Sequence, residues 1–471
     1  MSQLIINTPR WLLLGALVFA PWAYGATHPW AITVLDCWLG VAALLWMLSQ
    51  LLRQQRPSIH PVLGLTALAL VAQAWFMVVN ARYDYELLTF EFVPLEPLLP
   101  WAPGSLHRAL SLENATHVSA ILAAVCFACD LAQSSTWRKR LLWTMAGTGA
   151  SVILLGLAQK LTGATAIFWE PGDIGQNFFA TFRNHTNAGA FINLVWPVTA
   201  GLALVAFLRS ASVWKRALWT SALVISLAGA VANSSRAAGT LCLFLVFVWA
   251  AWLGWQRFRG RFRELHFAKL AIATIAVIVA VAAVAIIAGM GHTLGRWREF
   301  DKQLTADNSR LLAAKVCVDM LPQAGAFGFG PGTFQTAFPY FTHGYGNTLR
   351  GRWIFAHEDY LQTLVEWGWA GGAGWALVVF GAIVYSLIRA FRVRDRLSES
   401  SRVTHFALLT ALLGVLLHAL VDFPLQIASI QLYTAVVLGF LWGSRHWLGE
   451  PKRRPVSRRA SKPAREIAIA P

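Results

Sequence analysis

Three arginines and one histidine carry most of the chemistry this sequence can offer. Arg183 stands in Thr181-Phe-Arg-Asn-His-Thr-Asn-Ala-Gly189, Arg236 in Asn233-Ser-Ser-Arg-Ala-Ala-Gly239, Arg310 in Asp307-Asn-Ser-Arg310, and His357 in Ala356-His-Glu-Asp-Tyr-Leu361. Each lies at the end of an apolar run or in a long interruption between runs. An arginine at the end of a membrane-crossing helix is costly unless something negative pairs with it. Asp173, Asp307 and Asp319 are candidate partners for structural ion pairs. A bound diphosphate is the other explanation, favoured by three arginines arriving on one face from separate segments. Guanidinium forks match phosphate oxygens two by two and offset the charge on a departing phosphate. His357 precedes Glu358 and Asp359 at a helix start, where the dipole and nearby arginines favour an uncharged imidazole able to accept a proton. From spacing alone, a loop histidine without a role fits equally well.

Other chemistries find little support. No His-Glu-x-x-His pattern, paired-carboxylate spacing or cysteine cluster is present, so no metal and no cofactor are expected, and no serine elbow stands out. Of five cysteines, Cys126 and Cys129 have a redox-motif spacing, but they sit inside an apolar run where small residues pack. The glycine-rich Gly325-Ala-Phe-Gly-Phe-Gly-Pro-Gly332 lacks the strand and helix context of a nucleotide loop, and tight turning explains it better. His418 and Asp422, one turn apart, read as helix-end packing, with support of the reactive site as the sharper alternative.

The elements that must position these residues are membrane helices. Of 471 residues, 57% are hydrophobic and only 13% charged, with 23 Trp and a mean hydropathy of +0.53, which indicates a polytopic membrane protein. The net charge of +17 does not indicate nucleic acid, because the basic residues fall in short groups between apolar runs rather than on one polar face. Twelve stretches have membrane-crossing length: approximately 11–27, 29–52, 61–80, 114–133, 141–163, 186–208, 217–234, 237–255, 267–290, 366–389, 404–421 and 428–446. The expected fold is an all-α polytopic bundle of about twelve transmembrane helices with a large periplasmic loop containing short helices. Residues 1–290 hold spans one to nine and one periplasmic loop (81–113), 291–365 form the large periplasmic catalytic loop, 366–446 hold spans ten to twelve, and 447–471 form a basic cytoplasmic tail. The first run lacks a cleavage signature and reads as a retained span. With the N-terminus inside, 27 of 39 Lys and Arg lie on that side, so both termini are expected in the cytoplasm.

Arg183, Arg236, Arg310, Arg350, Arg352 and His357 then share the outer face. The first outer loop, rich in Pro, Leu and Trp, is expected along the membrane interface. In the second, Asp307-Asn-Ser309 starts a helix and Pro322 stops it, with Arg310, Ala314, Cys317 and Leu321 on one side. Phe334, Phe338, Tyr340 and Phe341 are expected to seat this loop among lipid headgroups.

The ordered motifs resemble the O-antigen ligase and polymerase family of bacterial inner-membrane glycosyltransferases. They comprise Arg-Asn-x-x-Asn (Arg183 to Asn187), Ser-Arg between two spans (Ser235, Arg236) and Ser-Arg opening a large loop (Ser309, Arg310). A Pro…Gly-x-Gly-x-Gly segment (Pro322 to Gly332) follows, then His-x-x-Tyr-Leu before Glu-x-Gly-x-x-Gly (His357, Tyr360, Leu361, Glu366, Gly368, Gly371). The resemblance implies an inverting, metal-independent transfer of a glycan from an undecaprenyl-diphosphate carrier to a lipid A-core or other glycan acceptor, within the bilayer of the inner membrane. Arg236 and Arg310 would hold the diphosphate and His357 would be the base. Arg183, Asn187, Arg350, Arg352, Glu358 and Tyr360 are candidate substrate-binding residues. Many members have Asn after the histidine, where this chain has Glu358. A polysaccharide polymerase would use the same donor with a second carrier-linked glycan. A lipid-linked glycan flippase is the alternative from another class, disfavoured because polar residues gather at one rim instead of the bilayer midplane.

Overall fold

The computed structural model describes residues 2–86, 88–89, 91–171, 177–261, 309–349 and 351–449. The ninth expected span, residues 291–308 of the large loop, Arg350 and the tail beyond 449 lie outside them. Helices α1 (Ser2–Trp22), α2 (Pro29–Leu52), α3 (Pro61–Val79), α4 (Arg108–Leu131), α5 (Ser135–Leu161), α6 (His185–Leu208), α7 (Val213–Ala232) and α8 (Arg236–Phe258) come first. They precede α9 (Ser309–Ala324), α10 (Asp359–Arg392), α11 (Glu399–His418) and α12 (Ala428–Trp442). Among the described residues eight helices, α2 to α6, α8, α10 and α11, are long and apolar enough to cross a membrane. Three further expected spans coincide with α1, α7 and α12. With 15 residues α12 reaches only about 22 Å, yet every position except Gln431 is buried. It is the central helix, packed by α1, α4, α6 and α10.

Polar contacts tie each end of the bundle. At one end Thr181 donates to Pro21 O (2.6 Å) and Ser429 to Gly25 O (2.7 Å). At the opposite end the buried Asp130 carboxylate collects Trp46 Nε1 (3.0 Å), Gln50 Nε2 (3.0 Å), Ser58 N (2.7 Å) and Gln133 Nε2 (2.8 Å). Four donors satisfy a charge that would otherwise be expensive among apolar helices.

The expectation of an all-α chain misses one hairpin. Strands β1 (Tyr83–Glu86) and β2 (Glu91–Pro94) pair antiparallel, Tyr83 opposite Pro94, with the Tyr85 and Phe92 rings 5.1 Å apart across the pair. The first outer loop does more than lie flat: Leu106 N donates to Phe329 O (2.9 Å) and Ser111 Oγ to Pro331 O (2.8 Å), fastening it to the glycine-rich segment.

That segment is fastened in turn to a break in α10. Gly368, at φ +64° and ψ −172°, interrupts the helix and frees backbone groups on both sides. Unpaired backbone among apolar helices, away from water, costs several kcal/mol per group. The glycine run supplies the partners. Phe329 N donates to Val365 O (3.0 Å), Gly330 N to Glu366 O (3.0 Å), Trp369 N to Gly325 O (3.2 Å) and Ala370 N to Ala326 O (2.8 Å). Gln73 of α3 donates to Trp367 O (2.8 Å). The Glu366 carboxylate, itself buried, accepts from Gly332 N (3.0 Å), Phe334 N (3.2 Å) and Gln362 Nε2 (3.1 Å). Only glycine fits here: a Cβ on Gly328 would stand 2.2 Å from Glu366 O, and one on Gly368 2.4 Å from Gly328 N.

Two local expectations are corrected. Pro322 does not end α9, which runs to Ala324 and is closed by Gly325 at φ +59°. Its buried face is Ala313, Val316, Cys317, Met320 and Ala324, leaving Arg310 exposed. Phe334 and Phe338 do not reach for headgroups. They pack with that face, and with Ala337, Leu349, Ala356 and Val365, as a core belonging to the loop itself. Burial in this core pushes the Cys317 thiol up to about 12.

Gly328→Ala should therefore destabilise by about 2 kcal/mol or more, since a residue at φ +76° is strained and its Cβ overlaps backbone. Gly147→Ala in α5, with open space around its Cβ, should leave thermal unfolding in detergent within about 1 kcal/mol of wild type. Equal melting temperatures for the two variants would contradict the strap.

Candidate active site

The site forms where the start of α10 meets the chain leaving α11. Glu358 caps α10, its carboxylate accepting from Leu361 N. Asp359 N donates to Ala419 O (2.9 Å), and its buried carboxylate accepts from Leu425 N (2.8 Å) and Gln426 Nε2 (3.1 Å). Tyr360 Oη donates to Leu416 O (2.7 Å). These bonds form a seam between residues 358–360 and 416–426. His357 opens the seam, in the left-handed region at φ +58°. A non-glycine residue there is strained by about 1–3 kcal/mol and persists only where its surroundings enforce it.

What the strain achieves is a contact. His357 Nδ1 lies 2.9 Å from Asp422 Oδ1, whose side chain is 1% exposed while the imidazole is 26% exposed. Phe423 and Trp353 meet the ring edge-on, at 4.8 and 5.8 Å between centroids. Burial works to raise the Asp422 carboxyl, but the His357 hydrogen bond and the nearby Arg310 guanidinium outweigh it and hold the carboxyl below its usual range. An ionised Asp422 accepts only, so Nδ1 carries the hydrogen of that bond, and in the neutral ring Nε2 is the acceptor. Nε2 has no hydrogen-bond partner among the described residues. An imidazole oriented by a buried carboxylate can accept the proton of a hydroxyl.

Arg310 reaches the same turn: Nη1 donates to Val421 O (3.3 Å), and its charge acts on Asp422. Arg183 and Arg236 stand at the starts of α6 and α8, on this same end of the bundle. Asn184 caps α6 through Thr186 N (2.8 Å), and Ser235 caps α8 through Ala238 N (3.3 Å). Asn233 Nδ2 donates to His185 O (2.9 Å) and Asn193 Nδ2 to Ala238 O (2.9 Å), locking the two starts side by side against α11. Two helix N-termini, each with an arginine, make an electropositive edge. Arg183 is exposed and Arg236 half-buried. Asn187 is buried, and its Oδ1 has no hydrogen-bond partner among the described residues.

The remaining sequence candidates are placed less directly. Arg352 is exposed and donates to Gln335 Oε1 (2.9 Å). Glu358 and Tyr360 have their polar atoms committed to the cap and to Leu416 O. Arg350 lies outside the described residues. Asp319, weighed as an ion-pair partner, accepts from Tyr345 Oη. In the sequence Asp422 reads first as helix-end packing and only second as support for the site, and Val421, Phe423 and Trp353 carry no signal there. The signal available was the polar pair His418 and Asp422 at the end of an apolar run. Among the described residues no cluster of three metal-ligating side chains occurs.

Burial raises the Glu358 carboxyl, opposed by the Leu361 and Tyr360 amides. Asn caps at least as well without a buried charge. Glu358→Asn should therefore retain the melting temperature, whereas Glu358→Ala should cost about 1 kcal/mol. Thermal unfolding of both variants checks this, and equal losses would contradict the capping role.

Residues 221–376 match a family model described as O-antigen ligase. No curated protein matches the chain. The matched segment spans Arg236, Arg310 and His357 and ends before Asp422. The motifs in their order and the apolar helices agree with this match, so over residues 221–376 the chain is similar to the O-antigen ligases, membrane enzymes of the glycosyl-transferring kind.

Proposed function

We propose that the protein moves a glycan from an undecaprenyl-diphosphate carrier to an acceptor hydroxyl on lipid A-core or another glycan, at the periplasmic face of the inner membrane, with about twelve spans and both termini in the cytoplasm. The observation that carries this reading is the convergence of Arg310, His357 and Asp422 on one turn at the rim where Arg183 and Arg236 also emerge. Asp422 holds the hydrogen on His357 Nδ1. Nε2 takes the proton of the acceptor hydroxyl as its oxygen attacks the anomeric carbon of the carrier-linked sugar. The bond from that carbon to the phosphate oxygen breaks, and the electron pair leaves on the diphosphate. Arg310 and Arg236, with Arg183 beside them, offset the new charge. One displacement inverts the anomeric centre.

The rim beside the site is built from helix ends, so the prenyl chain can remain among lipid tails while the diphosphate meets guanidinium groups. The strained histidine and the seam that enforces it supply orientation in advance of binding, which lowers the barrier without reorganisation during the reaction.

Losing one preorganised donor costs about 3 kcal/mol, a hundredfold or more in rate. Purified Arg310→Ala and His357→Ala, reconstituted with an undecaprenyl-diphosphate glycan and candidate acceptors, should transfer at least about a hundredfold more slowly than wild type. Asp422→Asn, which can place its amide nitrogen against Nδ1 and so favour the wrong tautomer, should be similarly impaired while keeping the wild-type melting temperature within a few degrees. Wild-type transfer by Arg310→Ala and His357→Ala would refute the assignment, and so would a retained anomeric configuration in the product.

A further inference from the structure

Below the site a second polar array lies inside the bundle. Asp36 is about 10 Å along α2 from its start, and His117 about 14 Å along α4, at 1.5 Å per residue. Both are buried. His117 Nδ1 lies 2.6 Å from Asp36 Oδ1, and His117 Nε2 meets Gln431 Oε1 of α12. Gln431 Nε2 donates to Leu425 O (2.6 Å).

The chemistry fixes the orientation of every member. Leu425 O only accepts, so Gln431 must turn its amide nitrogen to it and its oxygen to His117. His117 Nε2 must then carry a hydrogen. With a carboxylate on Nδ1, the pair holds one shared proton and is neutral as a unit. Such a pair among apolar helices stabilises no more than well-packed leucines would, so its presence calls for another reason.

The reason is at the end of the chain of bonds. Leu425 lies in the short turn Pro424–Gln426, gripped from within the bundle by Gln431 and from the rim by Asp359, which accepts from Leu425 N (2.8 Å) and Gln426 Nε2 (3.1 Å). This turn directly follows Asp422 and Phe423, the two residues that orient and contact the His357 imidazole. We propose that Asp36, His117 and Gln431 are positioning residues for the transfer reaction, holding the 424–426 turn so that Asp422 and Phe423 present His357 to the substrate. This inference rests on the transfer site proposed above.

The test combines the double variant Asp36→Leu/His117→Leu, which removes both members so that neither is left buried alone, with Gln431→Leu, which keeps the pair and cuts its link to the turn. Hydrogen exchange by mass spectrometry reads the segment 420–427, and steady-state transfer reads kcat and KM. Both variants should exchange this segment faster by about tenfold with helices α5 to α7 unchanged, and kcat should fall about tenfold with KM within about twofold, as expected for a misplaced reactive group. Unchanged exchange at 420–427 in Gln431→Leu overturns the inference whatever the reaction proves to be. Faster exchange with wild-type kcat, while Asp422→Asn is impaired, also overturns it and leaves the transfer site standing. If Asp422→Asn itself transfers at the wild-type rate, the transfer site has failed and the positioning role falls with it.

Discussion

A helix that breaks within an apolar bundle must find partners for the backbone groups it frees, and most of the site's architecture follows from how α10 meets that demand. The break at Gly368 exposes groups of Val365, Glu366, Trp369 and Ala370, and the glycine-rich strap from Gly325 to Gly330 pairs with all four. Glu366 adds a buried carboxylate that accepts amides from the far end of the strap. The strap can lie that close only because its residues carry no side chains at the crossing points. Through it the loop's own core, built on α9 and Phe334 and Phe338, is seated over the bundle.

Once the loop is seated, the first turn of α10 faces the chain leaving α11, and the seam between them decides the geometry of His357. Capping by Glu358, the double acceptance by Asp359 and the Tyr360 bond to Leu416 O leave little freedom at residue 357. The left-handed backbone of His357 is thus offset by several hydrogen bonds nearby. The result is an imidazole with one nitrogen held by a buried acid and the other an acceptor, next to an arginine. Stability and ring orientation are coupled here: the same bonds that close the seam also aim the ring.

Much of the helical frame is legible in the sequence. Apolar runs of about twenty residues mark helices because each must satisfy its own backbone in lipid, and eleven of the twelve expected runs fall on described helices. Arg183, Arg236, Arg310 and His357 stood out because charge at a span end needs a cause. The rest depended on contacts without a sequence period. Asp422 is 65 residues from His357, and nothing in its spacing tells a packing acid from an orienting one. Glu366 reads as one more glutamate until the strap folds onto it. Phe334 and Phe338 look like interfacial aromatics because a loop's private core cannot be distinguished from a lipid-facing patch by composition. The hairpin at Tyr83–Pro94 is hidden for a similar reason, its strands being short and set among prolines.

The central claim is that the diphosphate of the carrier sits between Arg310 and Arg236 beside His357. A structure of the protein with undecaprenyl diphosphate bound tests it most directly. The account predicts phosphate oxygens within hydrogen-bonding distance of both guanidinium groups, with the phosphate that bears the sugar facing Nε2 of His357. Phosphates bound at the Asp130 end of the bundle, or on this rim but away from both arginines, would contradict it.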